Sequence, residues 1–226
     1  MEDKYGEADT FESWADNNIL IPISTRMVDP LYNLGVMPNT VTIISTLFTF
    51  FSIYCLHNDR KPLAGASYFL GAIFDSIDGR MARKYNITSH YGMVLDVVSD
   101  NLSNFILFGY VLLYHNKSKY FNMLVVLIIF MTYMLSFSYG INEAYSIYKK
   151  AGTDDFYKYR MDELDKLQLS GGICDIYKHI MKTSYNIYRK YIPEYDEEKI
   201  LKYLKVLKEF GPGNFCLLVS IIILYL

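Results

Sequence analysis

The sequence predicts an all-α fold: a polytopic transmembrane helical bundle of five to six membrane helices, with an N-terminal interfacial segment and a polar helical insertion. Three observations carry this. Apolar runs at about residues 41–57, 63–77, 91–114, 121–142 and 212–226 each approach the ~20 residues that cross a hydrocarbon core. The chain turns polar and charged between 143 and 209. Small residues such as Gly65, Gly71 and Ala72 sit inside an apolar run, as membrane helices require where backbones approach closely. Bulk composition alone does not decide the class, because 52% hydrophobic and 16% aromatic residues also suit a soluble domain.

Four regions follow. Residues 1–37 combine an acidic start with the segment NNILIPISTRMVDPLYNLGV, which Pro22 and Pro30 interrupt. It is too broken to span a membrane and reads as interfacial, with Trp14 and Tyr32 as headgroup anchors. The start lacks the basic flank and apolar core of a cleaved signal peptide.

Residues 38–142 form the membrane core. In MPNTVTIISTLF, Pro38 and Asn39 mark a helix start, and Thr40 or Thr42 can satisfy early backbone donors. That helix runs to about His57, and NDRKP turns the chain. The second helix runs from about Leu63 to Lys84, the polar stretch Tyr85–Thr88 breaks it, and the third begins near Ser89 or His90. The fourth covers about 121–142, which places Glu143 at a helix end as an interfacial carboxylate.

Residues 143–209 carry amphipathic helices in which Leu201, Leu204 and Leu207 share a face, punctuated by Gly171, Gly172 and Pro193. Their many Lys and Tyr residues suit a headgroup boundary. Residues 210–226 form a last apolar helix of marginal spanning length. Arg80, Arg83 and Lys84 place the 80–90 loop on the cytoplasmic side.

Several functions are disfavoured. A net charge of −2 with no basic stripe argues against nucleic acid as a partner. Cys55, Cys174 and Cys216 form an odd set with neither a disulfide framework nor zinc spacing. The four histidines are isolated, and the Asn86, Asn101 and Asn116 sequons are short enough to arise by chance.

The informative stretch is FDSIDGRMARKYNITSHYGMVLDVVSDN, residues 74–101. Each Asp near a membrane centre costs roughly 2.5–3.5 kcal/mol on insertion scales, so four need a reason. Asp75 and Asp78 are three apart on one helix, and Asp96 and Asp100 four apart on the next, so each pair shares a face. Folding the hairpin near Ile87 sets Asp78 opposite Asp96 and Asp75 opposite Asp100. With helix axes roughly 8–10 Å apart, the four carboxylates converge. Such a cluster repels itself unless cations neutralise it, and hard oxygen ligands suit Mg²⁺, Mn²⁺ or Ca²⁺ with substrate phosphates completing the shell. Arg80, Arg83 and Lys84 sit at its mouth. The pattern points to metal-dependent phosphoryl transfer at a membrane surface.

Asp75-x-x-Asp78-Gly79-x-x-Ala82-Arg83, eight residues, then Gly92-x-x-x-Asp96-x-x-x-Asp100 resembles the signature of the class I CDP-alcohol phosphatidyltransferases. The resemblance covers about residues 17–142. It implies a multi-pass, dimeric membrane enzyme of phospholipid synthesis, in an endomembrane of ER type if eukaryotic, with its site facing the cytoplasm. Such an enzyme moves a phosphatidyl or phosphoalcohol group from a CDP-linked lipid or CDP-alcohol donor to an alcohol or diacylglycerol hydroxyl and releases CMP. It also implies a two-ion Mg²⁺ or Mn²⁺ site on Asp75, Asp78, Asp96 and Asp100, with Asp100 as the general base. Gly79, Ala82 and Gly92 would make room for the nucleotide, Arg83 would support the donor phosphates, and Asn39 and Thr42 would line the pocket.

The acceptor stays open. Asp96-Val97-Val98-Ser99-Asp100-Asn101 is closest to the inositol-type pattern, yet Asn101 stands where that branch has arginine. Choline and ethanolamine enzymes commonly have His where Val97 stands. The family usually has two further membrane helices after the fourth; here one short apolar run follows. An inactive scaffold of the same fold fits that shortening, whereas a divalent-cation transporter is opposed by the arginines beside the cluster.

Overall fold

The computed structural model describes residues 12–114, 119–153, 155–166, 171–191 and 196–226. The extreme acidic start, the Asn116 sequon and Pro193 lie outside these residues. Among the described residues every regular element is helical, and no strand occurs. A π-turn at Asp16–Leu20 leads into α1 (Ile21–Asn33). Then follow α2 (Pro38–His57), α3 (Lys61–Lys84), α4 (His90–Tyr114) and α5 (Lys119–Ala151). The insertion supplies α6 (Phe156–Lys166), α7 (Gly172–Tyr191) and α8 (Glu197–Leu207), and α9 (Pro212–Tyr225) ends the chain.

Proline opens α2, α3 and α9 within their first two positions, where a missing N–H costs nothing. Tight turns at Asp59 and Asn86, both with positive φ, close the loops before α3 and α4. Asp and Asn tolerate that conformation better than most residues. Among the described residues, three stretches are long and apolar enough to cross a bilayer: Pro38–His57, Val126–Lys149 and Glu197–Tyr225. Helices α3 and α4 have 24 and 25 residues, enough for ~30 Å of hydrocarbon at 1.5 Å per residue. The chain is a membrane protein built as a helical bundle.

Helix α3 is the hub. It packs along α2, α9 and α1. Gly65 explains the closeness of α9, since a Cβ there would lie 2.7 Å from the Ser220 carbonyl oxygen. Near the start of α3, Cys55, Leu56, Ala64, Tyr68, Leu107 and Val219 bury one apolar cluster joining α2, α3, α4 and α9. Tyr68 donates to Asn104 Oδ1 at 2.8 Å, a tie between α3 and α4. Toward the other end of α3, Leu20, Val28, Val41, Ile73, Ile77 and Met81 seal α1 and α2 against it.

The insertion is not a separate body. Phe156, Leu164, Tyr177, Tyr185, Ile200 and Leu204 share one core with Val94 of α4 and with Ile141, Ala144 and Tyr145 of α5. Helix α5 continues as one helix past residue 142 to Ala151, so Glu143 sits about two turns inside it and not at a helix end. There it accepts hydrogen bonds from Arg160 and, at 2.7 Å, from the Tyr185 hydroxyl. The insertion supplies the partners that let the helix continue.

Candidate active site

Helices α3 and α4 do not pack tightly against each other along their length; α4 lies instead against α2 and α7. The hairpin is therefore more open than two helices packed ~8–10 Å apart. The gap between them, walled by α5, α9 and the N-terminal π-turn, is a cavity lined by Asp75, Asp78, Asp96 and Asp100.

Carboxylate oxygens of Asp75, Asp78 and Asp96 lie within 4.8 Å of one another. Two come from one turn of α3 and the third from α4, so the tertiary fold assembles the group. Asp100, one turn beyond Asp96, lines the same cavity and lies within hydrogen-bond reach of Asp75.

Asp78 is held through both of its carboxylate oxygens. It is buried, accepts a 2.5 Å hydrogen bond from the Thr42 hydroxyl, and accepts another from the Gly79 backbone N–H. Asp75 is different: its Oδ1 is buried with no hydrogen-bond partner. A buried carboxyl oxygen without a donor, set among other carboxyl groups, is an unfavourable arrangement unless something neutralises the group, as a cation would. The donor set is entirely hard oxygen and fits Mg²⁺, Mn²⁺ or Ca²⁺.

The remaining expected residues divide into two groups. Gly79 and Arg83 line the cavity, and a Cβ on Gly79 would lie 3.2 Å from the Arg83 guanidinium. Thr42 sits behind Asp78 as its support. Asn39, Gly92 and Ala82 are outside the described cavity lining. Asn39 and Gly92 meet where α2 crosses α4, since a Cβ on Gly92 would lie 2.9 Å from Asn39 Oδ1. Glycine there lets the two helix starts touch.

Asp16 and Asn142 also line the cavity and escape the motif. Asp16 accepts from the Ser13 hydroxyl at 2.6 Å and from the Gly213 N–H at 3.1 Å, which clasps the N-terminal turn onto the start of α9. Burial, the dominant effect, raises the Asp16 carboxyl above its ordinary range against the opposing pull of the Ser13 and Gly213 hydrogen bonds and of Arg80. Asn142 of α5 is 7% exposed, and its Oδ1 has no partner. The signal for Asn142 was the one that exposed the aspartates: a polar side chain inside an apolar run. Nothing local marks Asp16, whose partner is 197 residues away.

Residues 35–161 match the family model described as CDP-alcohol phosphatidyltransferase. An archaetidylinositol phosphate synthase of Pyrococcus horikoshii is 39% identical over 85 residues, 37% of this chain and 45% of that protein. A CDP-diacylglycerol–inositol 3-phosphatidyltransferase of Arabidopsis thaliana is 37% identical over 68 residues, 30% of this chain and 29% of that protein. A phosphatidylinositol phosphate synthase of Mycobacterium bovis is 32% identical over 83 residues, 36% of this chain and 38% of that protein. The chain thus spans less than half the length of each of these curated relatives.

Proposed function

This chain belongs to the CDP-alcohol phosphatidyltransferase family, and on that premise we propose that it is a phospholipid-synthesising transferase. It moves a phosphatidyl group from a CDP-linked lipid donor to the hydroxyl of an inositol-type alcohol and releases CMP. The donor and the alcohol class are supported by the name of the Arabidopsis relative, and the alcohol class also by that of the Pyrococcus relative.

The observation that carries this reading is the convergence of Asp75, Asp78 and Asp96 beside the orphaned Asp75 Oδ1. These residues would hold Mg²⁺ or Mn²⁺, which supplies neutralisation of the pyrophosphate and of the charge on the leaving CMP. Arg83 supports the donor phosphates by charge-assisted hydrogen bonds. Gly79, which lines the cavity, leaves room for the cytidine with Ala82 one turn along, Gly92 lets the start of α4 approach Asn39, and Thr42 fixes the rotamer of Asp78.

Asp100 is the general base. The acceptor oxygen bonds to the phosphatidyl phosphorus, the bridging phosphorus–oxygen bond of the pyrophosphate breaks, and its electron pair leaves with CMP. The proton of the hydroxyl passes to Asp100. In this reading the protein crosses the membrane several times, and the cations Arg80, Arg83 and Lys84 support a cavity mouth on the cytoplasmic side. Family resemblance adds a homodimer.

The test is CMP release from CDP-diacylglycerol by membranes containing the full chain, with inositol and with Mg²⁺ or Mn²⁺. Metal-dependent release that Asp100→Asn abolishes supports the reading. Release unchanged by Asp100→Asn removes Asp100 from its role.

A further inference from the structure

The wall of the cavity that faces the aspartates has its own chemistry. Helix α5 contributes Leu135, Ser138 and Asn142, spaced so that they share one helix face. Ser138 is already committed, because its hydroxyl donates to the Leu207 carbonyl oxygen at 3.1 Å. Asn142 alone presents an unused polar atom, and it is buried. A buried amide oxygen without a donor is rare in native structures and calls for an explanation.

The start of α9 forms the adjoining part of this wall through Gly211 and Pro212. A helix N-terminus is the usual place to receive a phosphate. Here it is already filled from within the chain. Pro212 has no N–H, the Gly213 N–H donates to the Asp16 carboxylate, and the Asn214 N–H donates to the Ser13 hydroxyl. Gly213 permits this approach, since a Cβ there would lie 2.5 Å from Asp16 Oδ1. An anion seated at this point would displace a carboxylate.

Charge points the same way. Among the described lining residues, Arg80 and Arg83 are the cations, and both belong to α3 beside Asp78. Arg80 lies close enough to Asp16 for their charges to interact. On the α5 and α9 wall the described lining residues include no lysine or arginine to grip a phosphate.

We infer that Asn142 is the specificity-determining contact for the acceptor, and that the acceptor is an uncharged polyhydroxylated alcohol in preference to an alcohol phosphate. This rests on the transferase reading above and narrows it. Asn142 Oδ1 needs a donor, which a hydroxyl supplies and a phosphate dianion does not, while the amide NH2 can donate to either. The choice against a phosphate is carried by the wall around it, where the described lining has no lysine or arginine and the helix start is already taken by Asp16 and Ser13. The alcohol that binds here uses one hydroxyl to satisfy Asn142 and presents another to Asp100 for transfer.

The experiment measures CMP release from radiolabelled CDP-diacylglycerol by the full chain in membranes. The acceptors are myo-inositol, glycerol, their monophosphates, serine and ethanolamine. The wild-type protein uses an uncharged polyol at least about 10-fold more efficiently than its phosphate, the discrimination one unmatched buried polar group commonly gives. Asn142→Ala raises KM for that polyol by about 10-fold while kcat and the KM for CDP-diacylglycerol stay within about twofold, a split expected when uniform binding is lost. Asn142→Gln recovers part of the loss. Preference for a phosphorylated or amino alcohol, or an Asn142→Ala KM equal to wild type, overturns the inference while leaving the transferase reading intact. Failure to release CMP with every acceptor overturns both. The wild-type acceptor panel decides the matter even where the Asn142 variants do not fold.

Discussion

The Thr42 hydroxyl donates a 2.5 Å hydrogen bond to Asp78 Oδ2, joining α2 to the aspartate-bearing helix α3 across 36 residues of sequence. With the Gly79 N–H on the other oxygen, it leaves Asp78 a single orientation, toward Asp75 and Asp96. Thr42 is a supporting residue in the sense familiar from metal sites, where the groups behind the ligands orient them.

Thr42→Val keeps the shape of the side chain and removes the donor. The Mn²⁺ concentration that half-activates CMP release is expected to rise about 10- to 100-fold, with Thr42→Ser close to wild type. Titration of activity against free Mn²⁺ checks this, and an unchanged midpoint in Thr42→Val would show that Asp78 needs no such support.

Asp100→Asn removes the proton acceptor and keeps the volume. A loss of about 10²- to 10⁴-fold in kcat is expected, with the KM for the CDP-linked donor moved little. Single-turnover CMP release separates this from a donor-binding defect.

Glu143, Arg160 and Tyr185 pin the insertion to α5. Arg160 pairs with both Glu143 and Glu163, and burial, with Glu143 adding to it, raises the Tyr185 phenol above its ordinary range. Glu143→Gln leaves a partly buried guanidinium short of its counter-charge and is expected to cost about 2 kcal/mol. Glu143→Gln combined with Arg160→Met should cost less than the two single changes added together. Thermal unfolding in detergent measures all three; strict additivity would mean the two groups are not coupled.

Asp29 accepts hydrogen bonds from Lys84 and from the Tyr85 hydroxyl, and Tyr85 stacks on Tyr32 with centroids 3.6 Å apart. The Lys84 and Tyr85 hydrogen bonds, in that order, hold the Asp29 carboxyl below its ordinary range. A depressed carboxyl stabilises the fold above the unfolded value of about 3.9, and that contribution disappears as pH falls through the lower folded value. Asp29→Asn should therefore lower the thermal midpoint at pH 7 by more than at pH 3. Equal differences at both would place the contribution outside ionisation.

Much of the site was legible in the sequence because its spacing is local. Asp75 and Asp78 on one turn, and Asp96 and Asp100 on another, can meet only through a hairpin, and the turn at Tyr85–Thr88 is equally local. Gly65 was readable as a close-approach residue for the same reason. What could not be read is tertiary. The Asp16 clasp on Gly213 joins the two ends of the chain, and the openness of the α3–α4 gap depends on α4 leaning on α7. The shared core of Val94, Ile141, Tyr185 and Leu204 arises only when the amphipathic helices of the insertion find the end of α5. Asn142 had a signal, but an amide in an apolar run draws less notice than four carboxylates.

The most direct test of the whole account is equilibrium Mn²⁺ binding to the purified full chain in detergent or nanodiscs, followed by electron paramagnetic resonance. Wild type should bind Mn²⁺, and Asp75→Asn, Asp78→Asn and Asp96→Asn should each weaken binding at least about 10-fold, as loss of a hard-oxygen ligand does. Binding that survives all three substitutions, or CMP release that persists in excess EDTA, would contradict a metal centre built from these carboxylates.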